Sequence, residues 1–175
     1  MALLPLIYCS GCKNDLDEAR LVTSRSNVNI EHGKDIEIRY SDHGLTKIKA
    51  FAKTATRFNT EQPYMEFADG VKIYFYDAQN QVQSVMTANY ASAVENSSLM
   101  TARKNVEVIN EKGEKLNTEE LIWDEKKKII YSNAFVKITT ADEIIFGNGM
   151  TADETFTNYT IRKISGRVKV KAEVD

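Results

Sequence analysis

Apolar and polar residues alternate with a period of two along most of the chain beyond residue 30. Ile36 and Ile38 alternate with Glu37 and Arg39, and the segment Arg167–Lys171 repeats the pattern near the C-terminus. Successive side chains of a β-strand point to opposite faces of a sheet, so this pattern is typical of strands with one apolar and one solvated face. The sequence therefore predicts a domain built mainly of β-strands.

Strand openings of the form apolar-x-apolar recur at nearly constant intervals. They fall at Ile36, Val71, Val106, Val136 and Val168, so successive openings lie 35, 35, 30 and 32 residues apart. A repeat of this length indicates stacked supersecondary units, none of which buries its apolar face alone. We therefore predict an all-β fold of repeated antiparallel strands.

The alternation slips by one position between Thr118 and Leu121. The segment Thr118–Lys128 is the best helical candidate, because its first residues resemble a capping box. Its apolar positions do not keep a 3.6-residue period, so a β-bulge or a corner within a strand is the preferred interpretation. Farther along, Gly147–Gly149 predicts a turn between two strands.

The N-terminal region differs from the repeats. Ala2–Tyr8 is an apolar run that is too short to cross a bilayer, which takes about twenty residues. It is followed by Ser10-Gly11-Cys12, which resembles the end of a bacterial lipoprotein signal, in which Cys12 would carry lipid. We predict that residues 1–12 are the remnant of a signal or of a membrane or lipid anchor. Residues 13–29 are then a tether, and residues 30–175 form the exported β-domain.

Charge and composition narrow the functional classes. The chain of 175 residues carries 23 basic and 25 acidic residues, a formal net charge of −2, so it has no basic field for nucleic acid. Hydrophobic residues make up 42% of the chain, which is enough for a packed core. We predict a soluble surface around an apolar interior and no nucleic-acid partner.

Candidate catalytic and metal-binding groups are sparse. The two histidines, His32 and His43, have no cysteine near them in the body of the chain, which disfavours a zinc catalyst or a catalytic triad. The Cys9–Cys12 pair lacks the strand and helix of a redox motif and the second ligand pair of a zinc site. We predict no metal, no cofactor and no enzymatic activity.

Two carboxylate pairs leave a hydrolase as an alternative. A glycosidase needs two carboxyl groups facing each other across a cleft. Within Glu119–Glu120 and within Asp142–Glu143 the neighbouring side chains point to opposite faces of a strand, so neither pair forms such a site alone.

The central repeat carries a family resemblance. Its pattern runs from Asn105, Val106 and Val108 through Gly113, Leu116, Thr118, Leu121 and Trp123 to Tyr131, Phe135, Val136 and Ile138. This pattern, over roughly residues 36–171, resembles the periplasmic lipopolysaccharide-export proteins, and within them the LptC family, which is tethered to the inner membrane.

The resemblance implies a β-jellyroll in which two facing sheets form a V-shaped open trough. Members of the family receive lipopolysaccharide from an inner-membrane ABC transporter and pass it to a soluble periplasmic bridge protein of the same fold. The implied location is the periplasm, tethered to the inner membrane. Acyl chains would lie in the trough, while the sugars stay in water.

Strand parity and the resemblance together suggest the site residues. The predicted lining of the trough consists of Ile38, Ile48, Val71, Ile73, Phe75, Val106, Val108, Leu121, Trp123, Tyr131, Val136 and Ile138. The last strand, with Val168 and Val170, is the predicted partner edge, its valines pointing inward and its cations outward. The alternative to a lipid-binding bridge is an exported β-sandwich with a closed core that binds carbohydrate or protein.

Overall fold

The computed structural model describes residues 29–170, which form twelve β-strands and no helix. The strands are β1 (Asn29–Asp42), β2 (Leu45–Asn59), β3 (Tyr64–Phe67), β4 (Val71–Tyr76), β5 (Val82–Ala88), β6 (Tyr90–Val94), β7 (Leu99–Asn110), β8 (Lys115–Asp124), β9 (Ile129–Thr139), β10 (Glu143–Asp153), β11 (Tyr159–Ile161) and β12 (Ile164–Lys169). The helical alternative for Thr118–Lys128 is therefore wrong, because β8 and a turn occupy that segment.

The strands form a single antiparallel sheet, and its order follows the chain once β3 with β4, β5 with β6 and β11 with β12 are each counted as one long strand. β2 pairs with both β3 and β4, and β7 pairs with both β5 and β6. β10 likewise pairs with both β11 and β12. Each of these short strand pairs is one long strand interrupted near its middle. The result is an antiparallel meander of long strands, which agrees with the prediction of repeated antiparallel units.

The interruptions lie next to one another across the sheet, along what we call the break line. The amide of Asn89 donates to the carbonyl of Lys104, 3.0 Å away, which joins the break before β6 to the one inside β7. The pairing of β7 with β8 shifts register between Arg103 and Val106. The break line comprises residues 68–70, 89, 104–105, 119–121, 132–135, 148–149 and 162–163.

The predicted slip within β8 is confirmed as a register irregularity. The pairing of β8 with β9 shifts between Thr118 and Ile122. The predicted turn at Gly147–Gly149 is wrong, because these residues lie inside β10 at a register shift. Gly149 has a φ of 87°, a left-handed conformation that glycine adopts without a steric penalty, so the residue serves a bulge and not a hairpin turn.

One face of the sheet is apolar, and the sheet folds over so that two parts of this face pack against each other. The Tyr40 ring of β1 lies 5.7 Å from the Trp123 ring of β8, although β2, β4, β5 and β7 separate these strands in the sheet. Phe75 of β4 similarly contacts Phe156, which follows β10, at 5.8 Å. The two facing layers are therefore halves of one continuous sheet. The all-β, jellyroll-like fold is confirmed.

The predicted N-terminal segments lie outside the described residues. These are the anchor at residues 1–12, with Cys12, and the tether at 13–29 except for its last residue, Asn29, which begins β1. Within residues 29–170, no helix is long and apolar enough to cross a membrane.

Candidate functional site

The inner face of the sheet lines an apolar cavity of about 350 Å³. Its walls come from both sides of the break line. One wall is formed by residues of β1, β2, β4 and β5, and the facing wall by residues of β3, β6, β7, β8 and β9. Seven of the predicted trough residues line it: Ile38, Ile48, Val71, Ile73, Phe75, Leu121 and Trp123. The volume lies at the lower end of the roughly 300–1,000 Å³ range of small-molecule sites.

Seven of the 23 residues that line the cavity were predicted from the sequence, and the other sixteen were not. The further apolar lining residues include Tyr40, Ala50, Met65, Phe67, Met86, Ala91, Met100, Ala102 and Ile130. Several of them continue the alternation of a predicted residue, as Ala50 does after Ile48. The three methionines have unbranched, adaptable side chains that suit a wall that accepts different ligand shapes.

Four predicted lining residues are packed and do not border the cavity. These residues belong to the packed core on the side of β9–β11 and are at most 2% exposed: Val106, Val108, Val136 and Ile138. Only a void of about 20 Å³ remains there, lined among others by Phe156. The inner face is therefore open on the side of β1–β6 and filled on the side of β9–β11.

Tyr131 lies on the opposite face of the sheet. It pairs with Ile122 of β8 and Thr151 of β10, whereas its neighbour Ile130 pairs with Trp123 and lines the cavity. Counting back in steps of two from Val136 already places Ile130 inward and Tyr131 outward. Parity along β9 therefore predicts Ile130, and not Tyr131, as a lining residue.

The orientation predicted for the last strand is reversed. Val168 pairs with Ile144 and is 54% exposed on the outer face, and Val170, just past β12, is 43% exposed. The cations occupy the inner side, where Arg167 Nε lies 3.1 Å from Glu143 Oε2. Among residues 29–170, β12 pairs only with β10, so its outer backbone edge is free.

Two side-chain hydrogen bonds flank the cavity. The indole N–H of Trp123 donates to Glu154 Oε1 at 2.9 Å, and the Tyr40 hydroxyl donates to Glu125 Oε1 at 2.7 Å. The hydrogen bond to Glu125, together with burial, raises the pKa of Tyr40 to about 12. The Tyr40–Glu125 bond joins segments that are distant in the sheet, whereas Trp123 and Glu154 belong to β8 and the end of β10, which are separated only by β9.

A charged cluster borders the cavity on the side of β2 and β6. Arg57 donates to both carboxylate oxygens of Glu95, at 2.6 and 3.0 Å, and lies 3.5 Å from Glu31. The hydrogen bond from Arg57 lowers the pKa of Glu95. Glu95 itself lines the cavity, so its rim is polar here while its walls are apolar.

The carboxylate pairs considered for hydrolysis do not converge. Glu120 is paired with Arg103 at 2.8 Å and Glu143 with Arg167, on strands separated by β9. Within the part of the chain that the structure describes, no three His, Cys, Asp or Glu side chains are grouped to hold a metal. The chemistry that this site offers is the binding of an apolar ligand.

Comparison with known proteins agrees with this geometry. The sequence model of the family described as lipopolysaccharide-assembly, LptC-related, matches residues 12–167. No curated protein gives a significant match to the chain. The family match extends over nearly all of the described sheet and most of the chain. The chain therefore belongs to the LptC-related family of lipopolysaccharide-assembly proteins, which are involved in lipopolysaccharide transport.

Proposed function

We propose that this protein is a non-enzymatic bridge component that holds the acyl chains of lipopolysaccharide in the inner-face cavity and passes the lipid on. The observation that carries the proposal is the apolar cavity of about 350 Å³, because a sheet of this kind normally fills its interior with side chains. Family membership supplies the ligand class.

Hydrophobic burial suffices for such a function. Each methylene moved from water into an apolar wall contributes about 0.8 kcal/mol, so one acyl chain is held without specific polar contacts. Because hydrophobic contacts are non-directional, the acyl chain can slide along the cavity wall. Directional movement would then come from a partner that hydrolyses ATP.

We further propose a cellular location and partner proteins. The protein would stand in the periplasm, tethered to the inner membrane through its N-terminal segment. It would receive lipopolysaccharide from an inner-membrane ABC transporter complex and deliver it to a soluble bridge protein of the same fold. The free edge of β12 supports the last step, because an exposed strand edge can accept a further strand.

Site-specific photo-crosslinking tests the proposal. A photoreactive amino acid at Ile73, which lines the cavity, should capture lipopolysaccharide in cells. The matched control is Tyr74, the next residue of β4, which pairs with Lys49 on the outer face. Capture at Ile73 and not at Tyr74 supports the proposal; no capture at Ile73, or equal capture at both positions, contradicts it.

A closed-core binding module is the second candidate function. The packed half of the inner face, around Val106 and Val136, favours it, because a sandwich that binds sugar or protein on its outside needs no cavity. Native mass spectrometry separates the two. A protein purified from a lipopolysaccharide-producing cell should carry lipid if it is a conduit and none if it is a closed module.

A further inference from the structure

The open and packed parts of the inner face meet at one loop. Residues 154–158 connect β10 to β11, and within this loop Phe156 turns inward and is 4% exposed. Its ring packs edge-on against Phe75, a residue of the cavity wall. On its other side Phe156 lines the small void with Val108 and Ile138. Phe156 therefore stands between the cavity and the packed half.

Trp123 belongs to the same barrier. Its indole N–H donates to Glu154 of the loop, and its ring lies against Tyr40 across the inner face. Trp123 and Phe75 both line the 350 Å³ cavity and a separate cavity of about 260 Å³. We call the loop 154–158 together with Trp123 the plug.

Most hydrogen bonds of the loop run to a single residue, Asp153, and the loop has a cavity beside it. Asp153 accepts hydrogen bonds from the amides of Thr155, Thr157 and Asn158, and Asn110 reaches the Phe156 carbonyl at 3.4 Å. The 260 Å³ cavity, lined partly by Glu154 and Thr155, lies beside the loop and gives it space for retraction.

Two features beside the plug oppose its closed position. Phe156 has a φ of 57°, which is unfavourable for a side chain of this size. Ser84 pairs with both Phe75 and Asn110 in the sheet, and among residues 29–170 its buried hydroxyl has no hydrogen-bond partner. The left-handed φ of Phe156 is therefore an unfavourable term of the closed plug, and an unsatisfied hydroxyl lies in the strand next to Phe75.

From this geometry we infer that the plug determines how far a ligand reaches along the inner face. With the plug closed, an acyl chain is confined to the cavity on the side of β1–β6. When the loop retracts, Phe156 uncovers Val108 and Ile138, and the apolar face continues toward β12. The inference rests on the proposed function and adds a barrier between the entry and the exit of the trough.

Crosslinking on both sides of the plug tests the inference. In the full-length protein, a photoreactive residue at Ile73 should capture lipopolysaccharide and one at Ile138 should not. Phe156→Ala should raise capture at Ile138 at least severalfold and leave capture at Ile73 within about twofold. Tyr131→Ala, on the outer face, is the matched control and should change neither.

The outcomes separate the inference from the proposed function. Failure at Ile73 in the unaltered protein contradicts the proposed function. Capture at Ile73 with equal capture at Ile138 in the unaltered protein overturns the plug, because no barrier then exists. Capture that stays confined to Ile73 in Phe156→Ala also overturns it.

A second measurement needs no lipopolysaccharide and no core truncation. Trp123 is the single tryptophan of the chain, so quenching of its emission by acrylamide reports on this site alone. Glu154→Ala removes the tie from the loop to Trp123 and should raise the quenching constant severalfold, whereas Glu154→Gln keeps an acceptor and should not. Equal quenching in both variants contradicts a plug held by Glu154.

Discussion

At the scale of single residues, two buried serines on the inner face have opposite surroundings. Ser132 is 0% exposed, and its hydroxyl accepts from the amide of Ala134 and lies 3.2 Å from the Thr118 hydroxyl. Ser84 is 1% exposed and, within the described chain, has no partner. A buried polar group without a hydrogen bond costs about 1–3 kcal/mol, whereas a satisfied one is close to neutral or favourable.

Ser84→Ala should therefore stabilise the protein by about 1 kcal/mol, because it removes an unsatisfied hydroxyl from an apolar setting. Ser132→Ala should destabilise it by about the same amount, because the Ala134 amide loses its acceptor and the Thr118 hydroxyl loses one of its partners. Urea denaturation followed by circular dichroism measures both. A destabilised Ser84→Ala variant would show that Ser84 has a partner, such as an ordered water, in solution.

Residue parity explains much of what the sequence predicted about the cavity. Ile38, Ile48 and Ile73 line it because period-two alternation carries directly into a sheet with one apolar face. The filling of the packed half was not predictable in this way. Phe156 lies in a polar segment typical of a surface loop, yet its backbone is left-handed and its side chain is 4% exposed.

At the scale of elements, the register breaks explain why the sequence predicted the irregularity in β8 and did not predict the orientation of β12. The slip in β8 was visible because apolar residues flank it on both sides, at Leu116 and Leu121. The reversal of β12 was not visible, because its face is set by pairing with β10 after the breaks at Gly149 and Lys163. Alternation shows that two faces differ, whereas only the pairing partner shows which of them is inner.

Alternate backbone amides of β12 point toward β10 and toward the free edge, and this alternation determines which proline substitution tests partner binding at that edge. The amide of Val170 donates to the carbonyl of Asp142 at 2.8 Å, so Val168, two residues earlier and opposite Ile144, also faces β10. The amide of Lys169 points to the free edge. Proline at Val168 would damage the sheet itself, whereas proline at Lys169 removes only an outward donor.

Lys169→Pro should weaken binding of the proposed periplasmic bridge protein by about tenfold or more, equivalent to about 1.4 kcal/mol. Its thermal unfolding should remain close to that of the unaltered protein. Lys169→Ala removes the same charge but keeps the amide, and should bind nearly normally. Biolayer interferometry with the immobilised partner measures all three. Equal binding by both variants would place the joint away from the β12 edge.

At the scale of the whole molecule, the meander becomes a jellyroll only when its first strand meets β8. Every neighbouring strand pair is local in the chain, so the long-range closure is reported by contacts between distant strands, such as those of Tyr40 with Trp123 and Glu125. Because Tyr40 and Glu125 are separated by 85 residues, their hydrogen bond reports on closure and not on the formation of any one hairpin.

Tyr40→Phe keeps the ring against Trp123 and removes the hydrogen bond to Glu125, so it should lower the free energy of unfolding by about 1 kcal/mol near neutral pH. The folded protein holds the phenolic proton up to a pKa of about 12, above the usual value of 10.0. The unfolded chain releases that proton first as pH rises. The contribution of Tyr40 should thus be constant below about pH 10 and decline between about pH 10 and 12.

Chemical denaturation of both proteins, followed by Trp123 fluorescence from pH 7 to 12, measures this difference directly. Other groups titrate in both proteins and cancel in the comparison, because only the phenol of Tyr40 distinguishes them. Glu125→Ala provides the other half of a double-mutant cycle, and the double variant should be more stable than the sum of the single changes predicts. A stability difference that persists unchanged to pH 12 would mean that Tyr40 and Glu125 are not joined when the sheet is closed.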